Sequence, residues 1–128
     1  MKKWIILLLS VMMIAGCGQE KEKDREAVYM NITAQEAKVI MDSQEDYTIL
    51  DVRTQEEYAQ GHIPGAILIP DYEIEEKAEQ VLRDKDQLLL VYCRSGRRSK
   101  LAAEALVALG YTNIKEFGGI IDWPYEVE

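Results

Sequence analysis

The sequence predicts an α/β domain built on a mainly parallel sheet. From Val28 onward, short β-rich runs alternate with helical patterns. Two of the helix starts carry reciprocal capping boxes, Thr33 with Glu36 and Thr54 with Glu57. One run, Leu88 to Tyr92 (LLLVY), is apolar throughout, as expected of a central strand covered by helices on both faces.

Each element has its own justification. Tyr29 to Ile32 is a short strand, and the helix that follows presents Ala37, Ile40 and Met41 on one face. Tyr47 to Val52 (YTILDV) is a buried strand. The second capping box opens a short helix that stops at Gly61. After His62-Ile63-Pro64-Gly65, Ala66 to Ile69 makes a third strand, and Glu73 to Leu82 a charged helix with Ala78, Val81 and Leu82 facing inward. Ser99 to Leu109 is the strongest helix: Leu101, Ala105 and Leu109 recur every four residues, and Gly110 is a natural stop. Ile114 to Phe117 is the last strand, followed by Gly118-Gly119 and a short tail helix near Trp123.

With 128 residues there is room for one domain and not two. A hydrophobic share of 48% excludes wholesale disorder. The formal charge of −8 argues against nucleic acid as a partner, because phosphate binding needs a basic face.

The N-terminus reads as an address. Lys2 and Lys3 precede an uncharged run from Trp4 to Gly16, too short to span a bilayer, where roughly 20 residues are needed. It ends Ile14-Ala15-Gly16-Cys17, which resembles a bacterial lipobox. That resemblance implies a signal peptide over residues 1–16, cleavage before Cys17, and acylation of Cys17, which would hold the protein on a lipid bilayer. The location implied is the cell envelope, facing outside the cytoplasm: the outer face of the plasma membrane, or the periplasm or outer membrane where there are two. Cleavage removes two lysines and moves the charge from −8 to −10. Glu20 to Glu26 is an unbroken charged run, so residues 17–28 read as lipidated cysteine plus solvated tether, and 29–128 as the domain. With Cys17 a thioether, Cys93 is the only thiol, and a lone thiol outside the cytoplasm needs a reason.

Cys93-Arg94-Ser95-Gly96-Arg97-Arg98-Ser99 supplies one. This segment joins the carboxyl end of the central strand to the start of the strongest helix, where open α/β sheets bind ligands. Backbone N–H groups of such a turn converge, the helix terminus adds positive potential, and three arginines add full charges. All of this favours an anion, first of all the thiolate of Cys93. A lone cysteine ending an apolar strand is commonly inert core, but a core position is not followed at once by Arg-Ser-Gly-Arg-Arg.

Three segments together resemble the rhodanese family. They are Asp51-Val52-Arg53 with Glu57-Tyr58-Ala59-Gln60-Gly61-His62-Ile63-Pro64-Gly65-Ala66, the loop Cys93 to Ser99, and Phe117-Gly118-Gly119-Ile120-Ile121-Asp122-Trp123. The resemblance implies a rhodanese-like five-stranded parallel sheet flanked by helices. It implies sulfurtransfer through a Cys93 persulfide, loaded from a small anionic donor such as thiosulfate and discharged to a thiol or cyanide. A protein acceptor is possible and not identified. No metal and no organic cofactor is required. The loop N–H groups from Arg94 to Ser99 would cradle the persulfide. Arg94 and Arg98 would guide the donor, with Arg97 a further substrate-binding candidate, one loop arginine being expected to point outward. Asp51 and Arg53 are supporting residues: Asp51 fixes the loop through hydrogen bonds and Arg53 pairs with a carboxylate. His62 is assigned to scaffold, and the two glycines before Trp123 to a tight turn and close packing.

Two other readings compete. Cysteine phosphatases and arsenate reductases also place a thiolate in an anion-binding loop, but five residues separate their cysteine and arginine. Here Arg98 follows after four and Ser99 stands at the next position, giving a pocket suited to sulfur and small for phosphate. The other reading is a rhodanese-like binding or sulfur-relay module without turnover.

Overall fold

The computed structural model describes residues 28–43 and 46–128. The expected signal peptide, Cys17 and most of the expected tether lie outside the described residues. The elements run β1 (Met30–Asn31), α1 (Ala34–Asp42), β2 (Tyr47–Asp51), α2 (Gln55–Gln60), β3 (Ile67–Leu68), a 3₁₀ turn (Asp71–Glu73), α3 (Ile74–Val81), β4 (Leu88–Cys93), α4 (Arg97–Ala108), β5 (Ile114–Gly119) and a second 3₁₀ turn (Ile120–Asp122). All strand pairs are parallel, in the order β1-β5-β4-β2-β3. The predicted α/β class and five-stranded parallel sheet are therefore present.

β4 is central and buried along its whole length. Its alternation divides the core into two layers. Leu89, Val91 and Cys93 pack with Ile74, Ala78, Leu82, Ala103 and Leu106 under α3 and α4. Leu88, Leu90 and Tyr92 face the other way, with Ala37, Ile63, Phe117 and Trp123. Both predicted capping boxes are formed, each with the threonine accepting from the glutamate N–H and the glutamate accepting in return.

Three sequence expectations need correction. Leu101 is 53% exposed, while Ala105 and Leu109 lie only at the margin of the core. The buried face of α4 is instead Ser99, Ala102, Ala103 and Leu106. α4 begins at Arg97 rather than Ser99, and small side chains allow the helix to lie close on β4 and β5, so volume decides the face over leucine spacing. Val81 is 53% exposed, because the inward line of α3 runs Ile74, Ala78, Leu82 at four-residue steps and the helix ends at Val81. The tail helix near Trp123 is a single 3₁₀ turn. Gly110 ends α4 as expected, at φ 95°, with its N–H donating to the Val107 carbonyl.

Candidate functional site

The site forms where β4 gives way to α4. Cys93 closes the strand, and Gly96 turns the chain into the helix at φ 104°, a left-handed conformation that favours glycine. The turn brings the Gly96 N–H to 3.0 Å from Cys93 Sγ. The sulfur thus sits at the start of a 12-residue helix, whose first N–H groups lack intrahelical acceptors. Ser99, one turn into α4, points back at the sulfur with Oγ 3.4 Å from Sγ.

The thiol lies deep, with Cys93 only 1% exposed. β5 presses on the loop from one side. Gly119 pairs with Cys93 across a register shift, and a Cβ on Gly119 would come 2.0 Å from the Arg94 carbonyl oxygen. The Ile121 N–H donates to that same oxygen at 3.2 Å. The expected close packing at the glycine pair is thus located: Gly118 makes the turn at φ 86°, and Gly119 leaves room for the loop.

The three arginines separate. Arg94 and Arg97 are exposed, and Arg94 lines a groove of about 550 Å³ with Arg53, Glu57, Ile121, Trp123 and Tyr125. Arg98 donates from both terminal nitrogens to Glu57, at 2.6 and 2.9 Å. This hydrogen bonding holds the Glu57 carboxyl at about 2, overriding the desolvation that pulls the other way. Arg98 is therefore bound to the first turn of α2, and Arg94 is the loop arginine open to the groove. Ser95 is exposed on the loop, and its Cα packs against Gly119.

Asp51 and Arg53 form a second, buried arrangement. Asp51 accepts from the Arg53 backbone N–H at 2.9 Å, and its Oδ2 accepts from an Arg53 terminal nitrogen at 2.7 Å and from the Tyr92 hydroxyl at 2.7 Å. Arg53 continues to the Gly61 carbonyl, and the Tyr92 oxygen accepts from the Ile63 N–H. Burial, with the bond to Asp51, pushes the Tyr92 phenol well above its ordinary range. These contacts secure the 51–53 and 61–63 segments and do not reach the sulfur. His62 stacks on Tyr58 at 3.8 Å, with Nδ1 3.0 Å from the Tyr58 carbonyl oxygen, in a scaffold position.

Two neighbours of the loop are not signalled as such in the sequence. Glu57 reads there as a helix cap and as part of the first family-like segment, not as a partner of Arg98. Glu116, 0% exposed, accepts from Ser99 Oγ at 2.7 Å and from the Gly118 N–H at 2.8 Å. A signal for Glu116 existed: by strand alternation it shares the face of Ile114, so a charge falls on an inward position of β5.

The sequence profile described as "Rhodanese-like domain" matches residues 33–124. A thiosulfate sulfurtransferase of Escherichia coli, PspE, is 42% identical over 73 residues, covering 57% of this chain and 70% of that protein. The putative sulfur carrier protein YrkF of Bacillus subtilis is 36% identical over 112 residues, covering 87% of this chain and 60% of YrkF. Among solved structures, one described as a rhodanese with anions from E. coli superposes with a TM-score of 0.60 at 38% identity, covering 64% of this chain and 96% of that one. By the matched span, and by a parallel sheet that delivers a cysteine loop to a helix N-terminus, this chain belongs to the rhodanese-like domain family.

Proposed function

We propose that the protein is a rhodanese-type sulfurtransferase that works through Cys93, tethered outside the cytoplasm by acylated Cys17. The observation that carries the reading is Cys93 Sγ at the α4 terminus, accepting from the Gly96 N–H at 3.0 Å. The Cys93 thiolate attacks the outer sulfur of thiosulfate. The S–S bond of the donor breaks, sulfite leaves with the bonding pair, and Cys93 keeps one sulfur as a persulfide anion. Cyanide or an acceptor thiolate then attacks the terminal sulfur and regenerates the Cys93 thiolate. Arg94, open to the groove, draws in the dianionic donor, and the Gly96 N–H faces the transferred sulfur.

The test uses the full chain in detergent, carrying Cys17→Ser so that Cys93 is the sole thiol. Intact mass is read before and after thiosulfate. Expected is a gain of one sulfur atom, reversed by cyanide with thiocyanate released, and absent in Cys93→Ser. No gain on a thiol shown to be free overturns the reading. The resemblance to a putative sulfur carrier favours one second reading, a relay that loads without turning over. That relay would show the mass gain with a single equivalent of thiocyanate per chain and no continuing cycle. The envelope location is tested by labelled palmitate in cells, with label expected on the wild type and lost in Cys17→Ser.

A further inference from the structure

Behind the sulfur lies a buried carboxylate that the sulfurtransfer steps do not use. Glu116 is on β5, and the register sets it opposite Val91, two residues before Cys93 on the central strand. Its neighbours are donors: the Ser99 hydroxyl and the Gly118 N–H on Oε1, and the Asn31 amide of β1 on Oε2. Ser99 has one proton and three acceptors within reach, the Glu116 carboxylate at 2.7 Å, the Gly96 carbonyl at 3.0 Å and the Gly118 carbonyl at 3.4 Å. The carboxylate is both nearest and charged, so it takes the proton. Ser99 is left with only lone pairs for Cys93, 3.4 Å away, and accepts from the thiol S–H.

We infer that Glu116 is a positioning residue that keeps the Cys93 sulfur nucleophilic by holding the Ser99 proton away from it. Gly96 then donates to the sulfur anion and Ser99 does not. An anion with fewer donors is more basic and a stronger nucleophile once formed. On ionisation the thiol proton leaves to solvent, and Ser99 keeps donating to Glu116. The other charges facing this centre are few. Arg98 of α4 bears on Cys93 and is neutralised by Glu57 of α2, with Asp71 of the first 3₁₀ turn also acting on Arg98. On the β1 side, Tyr29 feels Glu116 and Glu104. The inference deepens the sulfurtransfer reading and rests on it for its consequence, but alkylation needs no sulfur donor, so each can fail without the other.

The experiment is the pH profile of iodoacetamide alkylation at Cys93, in the full chain with Cys17→Ser. Four forms are compared: the parent, Glu116→Gln, Ser99→Ala and the double variant. A neutral amide competes less well for the Ser99 proton, which then turns to the sulfur anion. Glu116→Gln is expected to lower the inflection by about one pH unit and the high-pH plateau rate by about threefold. In the Ser99→Ala background the same substitution is expected to lose most of that effect. An unchanged profile in Glu116→Gln overturns the inference. An equal shift with and without Ser99 also overturns it, because the charge would then act through space.

Should Glu116→Gln not fold, the unsubstituted side chain answers by NMR with glutamate labelled at the carboxyl carbon. Because Ser99 donates to the carboxylate in both thiol states, the Glu116 resonance is expected to move no more across the alkylation inflection than it does in Ser99→Ala. A larger step overturns the inference, because Ser99 would then have turned its proton to the sulfur.

Discussion

Glu57 and Arg98 are joined by two parallel hydrogen bonds across 41 residues of sequence. The same carboxylate closes the capping box of α2 on Thr54. One side chain thereby ties the start of α2 to the loop that carries Cys93. Folding lowers the Glu57 pKa from its ordinary 4.5 to about 2, so its contribution to stability is complete above about 4.5 and is lost as pH falls through about 2. Glu57→Gln is expected to cost about 1 kcal/mol at pH 7, the pair being partly solvated, and less as pH approaches 2. Denaturant midpoints of both proteins across pH 2 to 7 check this, and a constant gap would refute it.

Arg94 and Arg98 are expected to fail differently. Arg94→Ala is expected to raise the KM for thiosulfate by about fivefold and leave Tm unchanged, since Arg94 is exposed on the groove. Arg98→Ala is expected to lower Tm as well, because it strands the Glu57 carboxylate. Steady-state kinetics and thermal melts on the two variants separate the roles.

Gly119→Ala puts a Cβ 2.0 Å from the Arg94 carbonyl oxygen, a clash with backbone that no rotamer relieves. The expected cost is about 3 kcal/mol, with the Cys93 loop displaced and sulfur loading reduced. Gly65→Ala is the control. It meets no atom within 4 Å and bears only the strain of φ 82°, of about 1 kcal/mol. Equal losses in the two would show that the close approach at Gly119 does not matter.

Asp51→Asn leaves the Arg53 guanidinium, 5% exposed, without its charge partner. The expected destabilisation is about 3 kcal/mol, by chemical denaturation. Because this network holds the 51–53 and 61–63 segments and does not reach Sγ, the Cys93 alkylation profile of the folded variant is expected to match the wild type.

The burial of Cys93 has a kinetic consequence. A thiol that is 1% exposed admits slim reagents before broad ones. Iodoacetamide is expected to outrun an aromatic disulfide by a larger factor on the native protein than on the urea-unfolded chain. Equal ratios in the two states would mean that the loop does not shield the sulfur.

The α/β class, both capping boxes, the apolar centre strand, the Gly110 stop and the loop around Cys93 were legible in the sequence. Each rests on residues a few positions apart, where periodicity, cap chemistry and glycine conformation act locally. The buried face of α4 was misjudged because leucine spacing says nothing of how closely a helix must approach a sheet. Ala102 and Ala103 suit that approach, and Leu101 is left outside. The partners of the loop were invisible for a related reason. Glu57 reaches Arg98 and Glu116 reaches Ser99 only after the parallel crossovers set α2 and β5 beside the β4–α4 turn. Sequence by itself determined which residue carries the thiol and which turn surrounds it. Tertiary structure decided which arginine is tied to a carboxylate and which hydroxyl faces the sulfur, because those choices depend on register between strands, and register follows from how whole faces pack.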